Sequence, residues 1–478
     1  LKDSDDVYAR LIRLLLKQGK TREALERLEE SHGKDMLDLL GDTLNAPSRH
    51  WSQEIWDKVR RFRKELYELD VRDQGSNSPG DKRSATTREL REQVRADRQR
   101  ARAGLEKALQ EARASSAASS GSETGKINQS LLEGKGHACA GLITHPSVMT
   151  VIFQTRRDPC WAFVLGGGKS EAVPLTISSH KIRLAAAKFR RAVVENEDDW
   201  VDKSHALSQI IWQPLAAFVK DKPQVLIIPD GGLWYVPFAA LSDLDGKPLI
   251  TSRRLGICST VNLAARLLER ENQTSKPKKA LPGKILILAD PDGSLPHART
   301  EGAEIASLAG ASGWQAETKV GSEASEIWLK RSVAGVERGS LHFATHGILD
   351  SASPLFSYLL STPGDGEDGQ LQVLEIANEL NLRPFSPAVL SACNTAMGTV
   401  SGGNEMICLQ QAFHDAGVPE ILASLWEVSD EATARLMKAF YTRHFGGTPV
   451  GEALAEAIRP MTTEPPSRWA AFQLYGVP

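Results

Sequence analysis

From residue 283 to the end of the chain, short apolar runs alternate with amphipathic segments. This alternation constrains the fold more than any other feature. "KILILADPDG" predicts a strand and "ARTEGAEIASLAG" a helix, and "WQAETKVGS" and "SEIWLKRSVAG" repeat the pair. "SLHFATHG" predicts a further strand, followed by a hairpin-like insertion in "YLLSTPGDGEDGQLQV". "VLEIANEL", "PAVLSAC", "EMICLQQAFHDAG", "EILASLWEV" and "DEATARLMKAFYTRHF" continue as helix, strand, helix, strand and helix. Strands alternating with helices of about 10–15 residues imply an α/β fold with a mostly parallel sheet covered on both faces.

The 478 residues exceed one ordinary core and predict about two to four domains. Residues 6–30 carry a helix, a turn at "QGK" around Gly19, and a second helix. Tyr8, Leu11, Leu14 and Leu15 are expected on one face, with Ala24, Leu25 and Leu28 continuing it. The spacing of Tyr8, Leu11, Gly19 and Ala24 resembles one tetratricopeptide repeat. A single repeat cannot bury its own face, and with no initiator Met the chain reads as a fragment with further repeats upstream. Residues 1–72 are therefore expected to be helical, and 73–136 to form a linker and a charged helix ending in "SSAASSGSETG". From residue 137, "ACAGLITHPSVMTVIFQ" and "CWAFVLGGGKSEAVPLTI" read as strands. The "GGG" at 166–168 reads as a hairpin turn, because no helix led by Lys-Ser/Thr follows it as a phosphate loop requires. A helical stretch is expected over about 181–220, then a buried strand in "QVLIIPDGGLWYVPFAAL" that breaks at Pro229. The remaining boundaries fall at 137–280 and 281–478.

A formal net charge of −2 argues against a general nucleic-acid binder. The start of the chain has no apolar signal core, and no run reaches the roughly 18 apolar residues of a membrane span. Five cysteines, widely spaced and without a CxxC, argue against a disulfide framework or a thiolate zinc site and fit a reducing cytoplasm.

Two of the predicted strands end on reactive side chains, His346 in "LHFATHG" and Cys393 in "VLSAC". In open parallel sheets, functional residues gather beyond the carboxyl ends of the strands. A cysteine there becomes a nucleophile when an imidazole takes its proton or stabilises the thiolate. His346 would then protonate the leaving amine, and the N–H groups of Gly347 and Cys393 would donate to the oxyanion. Each residue alone reads as an ordinary structural residue, and only the two together on neighbouring strands bring the catalytic reading level with that one.

"LHFATHG", "VLSACNTA", "ASLWEVSDEATARLMKAFY" and the terminal "WAAFQLYG" occur in order and resemble the CHAT domain, a caspase-like cysteine peptidase family akin to separase. "IIPDGGLWYVPFAAL" and "LPHARTEGAEIASLAG" match its upstream part, so the resemblance spans about 137–478. It implies a caspase-like three-layer sandwich with the active half at 281–478, preceded by a degenerate caspase-like half at 137–280. It places the catalytic dyad on His346 and Cys393 and implies no metal or cofactor. It also implies a protein substrate, regulation by a protein partner through the helical region, and a setting in defence or cell death. The segment after "ILASLW" resembles the corresponding part of separase, where an acidic residue receives a basic side chain. Glu427 or Asp430 is thus a candidate for binding Arg or Lys before the cut, although Asp430 reads equally as a helix N-cap.

Further candidates have weaker support. His342 shares the strand face of His346 but lacks a complete metal-ligand set. Asp350, with Ser351 and Ser353, is placed to orient the imidazole or to form a turn. Gly402 and Gly403 suit a mobile loop, His297 and His414 read as surface or capping residues, and Cys139, Cys160, Cys258 and Cys408 read as core. The competing reading of the chain is a catalytically silent scaffold that assembles a protein complex.

Overall fold

The computed structural model describes residues 2–40, 137–274, 283–349, 357–391 and 404–478, with isolated helical positions between 54 and 111. Helices α1 (Lys2–Lys17) and α2 (Thr21–Leu40) form the expected hairpin. Gly19 takes φ 72° in the turn, where the Lys20 N–H donates to the Leu15 carbonyl (2.9 Å); a left-handed residue after a helix favours glycine. The buried face differs from the expected one. Ile12 and Leu15 pack inward with Ala24, Leu25 and Leu28, whereas Leu14 is 52% exposed. Helix α2 docks on the following half through Glu29, whose carboxylate accepts the N–H groups of Val261 and Asn262, both at 3.0 Å.

One further correction follows. Residues 137–144, expected as strand, form helix α3 (His137–Thr144). A short apolar run does not separate a buried helix from a strand by period; here Cys139 and Leu142 pack in one cluster with the helix at 261–274. Next come β1 (Val148–Gln154), β2 (Cys160–Gly166) and β3 (Lys169–Leu175). Strands β2 and β3 pair antiparallel across Gly167-Gly168, both at positive φ, the primed turn that suits strand twist. Helices α4 (Ser179–Glu195) and α5 (Trp200–Ile211) precede β4 (Gln224–Ile228), β5 (Arg254–Ile257) and α6 (Val261–Thr274).

The alternating region then follows as expected. It comprises β6 (Lys284–Ala289), α7 (Pro296–Ala311), β7 (Gln315–Val320), α8 (Glu326–Ser332) and β8 (Gly339–Ala344). The insertion is a small three-stranded sheet of β9 (Gly347–Ile348), β10 (Tyr358–Leu360) and β11 (Gln370–Gln372). After it come α9 (Val373–Glu379), β12 (Phe385–Leu390), α10 (Asn404–Asp415), β13 (Ile421–Ser424) and α11 (Asp430–Phe445). Helix α12 (Val450–Ile458) and β14 (Phe472–Tyr475) close the chain.

Eleven of the described strands make one sheet in the order β3-β2-β1-β4-β5-β14-β13-β12-β8-β6-β7. The strands from β13 to β7 run parallel. Strand β14 is antiparallel to β13 and parallel to β5, so the last strand of the chain joins the two halves. Successive strand residues face opposite sides, and β8 shows both layers. His342 meets Tyr441 of α11, while Phe343 packs edge-on to Phe413 of α10 (5.6 Å). Helix, sheet and helix thus make the three-layer α/β sandwich expected from the sequence.

Candidate active site

Strands β8 and β12 are parallel neighbours, with Leu390 level with Phe343. His346 follows the end of β8. Cys393 lies outside the described residues; the chain leaving β12 is described as far as Ser391. Asp350, Ser351, Ser353, Gly402 and Gly403 also lie outside them, as does the side chain of Cys408.

The hairpin insertion and the β6–α7 loop hold His346 in place. Its carbonyl accepts the Leu360 N–H (2.8 Å), and the Thr345 hydroxyl donates to the Leu360 carbonyl (2.7 Å). Gly347 is opposite Leu359. Because an antiparallel ladder alternates bonded and non-bonded pairs, the bond at His346–Leu360 turns the Gly347 N–H away from β10.

The imidazole Nε2 lies 2.6 Å from the Ser294 hydroxyl, which lies 2.7 Å from Asp292 Oδ1. Asp292 Oδ2 is 4.0 Å from the same nitrogen. A carboxylate only accepts and a hydroxyl has one proton. Ser294 therefore donates to Asp292 and accepts from His346 Nε2–H, which leaves Nδ1 as the basic nitrogen. Partial burial acts to raise the Asp292 carboxyl, but the Ser294 hydroxyl and N–H more than offset it and hold the group below its ordinary value. Asp290 sets this loop. It is fully buried at φ 47°, accepts the Leu295 N–H (2.7 Å), and pairs with Arg299.

The sequence reading assigned no role to Asp292 or Ser294. Their one signal is position, since "DPDGS" follows the carboxyl end of β6. His342 is fully buried; its Nδ1 is 3.0 Å from the Tyr441 hydroxyl and its Nε2 is 3.2 Å from Glu301 Oε1. Glu301 also accepts from the Ser391 hydroxyl (3.3 Å), so one carboxylate of α7 touches both β8 and the end of β12. Burial pushes the thiols of Cys139, Cys160 and Cys258 up to about 12, which makes them poor nucleophiles.

The two acidic candidates diverge. Asp430 is in the first turn of α11, behind the N-cap Ser429, with its Oδ2 3.5 Å from His297 Nε2. His297 is three residues beyond Ser294, so Asp430 borders the loop that holds His346. Glu427 is exposed and lines a cavity of about 690 Å³ with Arg183, Arg190, Tyr235 and Trp426. His414 caps the end of α10, its Nδ1 2.9 Å from the Val418 carbonyl.

Residues 201–477, more than half of the chain, match the CHAT domain. Human tetratricopeptide repeat protein 28 is 24% identical over 301 residues, covering 53% of this chain and 12% of that protein. The chain thus spans a small fraction of that relative's length. Two crystal structures of the Saccharomyces cerevisiae separase–securin complex are similar in part. The one at 3.0 Å matches with a TM-score of 0.48 and 12% identity over 74% of this chain and 31% of the other. The one at 2.6 Å matches with a TM-score of 0.46 and 11% identity, over 98% and 44%. The matched span includes His346 and Cys393, and the chain is a member of the CHAT domain family.

Proposed function

We propose that the protein is a cysteine endopeptidase that cuts a specific protein substrate, with Cys393 as nucleophile and His346 as acid/base. The observation that carries this reading is the register of β8 and β12. Leu390 is level with Phe343, and in sequence Cys393 follows Leu390 by three residues, as His346 follows Phe343. The thiol gives its proton to Nδ1 of His346, and the thiolate attacks the scissile carbonyl. The N–H groups of Gly347 and Cys393 receive the oxyanion. Collapse of the tetrahedral intermediate breaks the C–N bond as His346 protonates the amine. Water, deprotonated by the same imidazole, then releases the acyl group. Ser294 and Asp292 hold the imidazole and offset the charge it acquires. The scheme uses no metal and no cofactor.

Asp430 and Glu427 are proposed to receive a basic side chain before the cut, with Asp430 on the side of the His346 loop. The helical hairpin at the N-terminus, read as a tetratricopeptide-like repeat, is the proposed seat of a protein regulator. The division into a degenerate half at 137–280 and an active half at 281–478 is part of the same proposal, as is a cytoplasmic setting. Among the described residues, no helix is long and apolar enough to cross a membrane.

A peptidyl electrophile that reacts with thiols tests the chemistry. The expected result is a single adduct on Cys393, lost in Cys393→Ala and His346→Ala. Absence of that adduct on the folded wild type would favour the scaffold reading.

A further inference from the structure

The cavity beside Glu427 lies between α4 of the first half and the segment after β13 of the second. Arg183, Ala186, Ala187, Arg190 and Val194 line it from one side of α4. Their spacing of three, four and seven places them on a single helical face. Trp426 lines the opposite wall, its ring fixed by an indole N–H donated to the Ser467 carbonyl (3.0 Å). Arg468 completes the lining on that side. The volume of about 690 Å³ falls within the range of ligand sites.

Arg190 is the unusual member. Its Nη2 donates to the Leu425 carbonyl (3.2 Å), and its guanidinium is 5.4 Å from the centre of the Tyr235 ring. Its Nε is buried with no hydrogen-bond partner. Among the described residues, no carboxylate forms an ion pair with it. Burial works against the cation and lowers its pKa from the ordinary arginine value. A desolvated guanidinium with an unused donor is costly unless an anion meets it. Elsewhere in the lining, Arg191 pairs with Glu197 (3.0 Å), and Arg468 is 3.5 Å from a Glu464 already held by Arg435. Setting aside Arg191 and Glu195, which are neighbours on α4, leaves Arg183, Arg190 and Arg468 against Glu427.

We propose that this groove binds an acidic peptide segment, with an Asp or Glu carboxylate on Arg190 and its apolar neighbours against Ala186, Val194 and Trp426. A planar carboxylate matches the guanidinium fork. The apolar walls suit the carbon side chains of a peptide, and Glu427 on the rim opposes a dianionic phosphate more than a single carboxylate. The groove shares Glu427 with the proposed basic-residue pocket but neither His346 nor Cys393, so binding there can be read without cleavage.

The test uses the full chain carrying Cys393→Ala, so that hydrolysis cannot consume the probe. Fluorescein-labelled hexapeptides containing Asp or Glu between apolar residues are compared with Asn or Gln counterparts by fluorescence polarisation. Acidic members bind at least about tenfold tighter than their amides at low salt, and added salt narrows the gap. Arg190→Gln removes that preference, and Glu427→Gln strengthens acidic binding a few-fold. Arg468→Gln, a change at a more exposed position, weakens it several-fold and covers the case in which the Arg190 variant fails to fold. Equal binding of acid and amide, no binding by the folded protein, or full affinity in both arginine variants overturns the proposal. Displacement of the acidic peptides by ATP at lower concentration than by the peptides themselves would also overturn it, by assigning the groove to phosphates.

Discussion

Replacing Ser294 by alanine isolates the contact that fixes the imidazole. Ser294 Oγ is 2.6 Å from His346 Nε2 and passes the interaction on to Asp292 Oδ1 at 2.7 Å. The substitution deletes both bonds and leaves Asp292 4.0 Å from the ring, beyond hydrogen-bond range. A hydrogen bond to a charged group contributes about 1.5–3 kcal/mol. At 1.36 kcal/mol per decade, its loss from the proposed imidazolium–thiolate pair is expected to slow reaction at Cys393 by roughly 10- to 150-fold. The assay is the alkylation rate of Cys393 by iodoacetamide, followed by mass spectrometry of the peptide that carries it. Cys139, Cys160 and Cys258 serve as internal controls. They are buried, with thiols pushed up to about 12, and should alkylate only when the protein unfolds. Asp292→Asn keeps an acceptor for Ser294 but removes the charge, so its effect should be smaller. An alkylation rate in Ser294→Ala within twofold of wild type, with the three controls protected, would refute the reasoning.

Two further predictions concern stability. Arg253 is buried against Asp243 (2.7 Å) and also donates to the carbonyls of Val219 and Lys222, both at 2.6 Å. Arg253→Met leaves that carboxylate buried without its cation, which costs about 3–5 kcal/mol and lowers Tm by roughly 5–20 °C; calorimetry showing a smaller drop would count against it. Burial pushes the Glu420 carboxyl up from 4.5 to about 7. Its neutral form stabilises the fold fully below about pH 4.5, and that contribution is lost as pH rises through about 7. Glu420→Gln should therefore flatten the fall in Tm between about pH 4.5 and 7, and an unchanged slope would show that this carboxyl does not set it.

The strands were legible in the sequence for a physical reason. Buried parallel strands are unbroken apolar runs, so a polar residue at such an end, as His346 is, stands out. The contacts that give His346 its setting were not legible in the same way. Ser294 lies 52 residues before it, and only the β6–β8 pairing brings the two strand ends together. Arg190 and Leu425 meet across 235 residues, and α4 alone gives no sign of which of its arginines reaches the second half. Residues 137–144 show a different limit. An apolar run of that length fits either period, and packing against α6 decides for helix. In α1, the sequence pattern pointed Leu14 inward, whereas the hairpin turns about Gly19 so that Ile12 faces α2 instead. Strand β14 escaped notice because its place between β13 and β5 depends on the two halves sharing one sheet.

A search for new protein N-termini in cells producing the full-length protein, wild type against Cys393→Ala, tests the central claim most directly. The account predicts a small set of cleavage sites present with the wild type, absent with Cys393→Ala and absent again with His346→Ala. Identical sets of N-termini in the three, with all three proteins folded and the natural partner present, would contradict it.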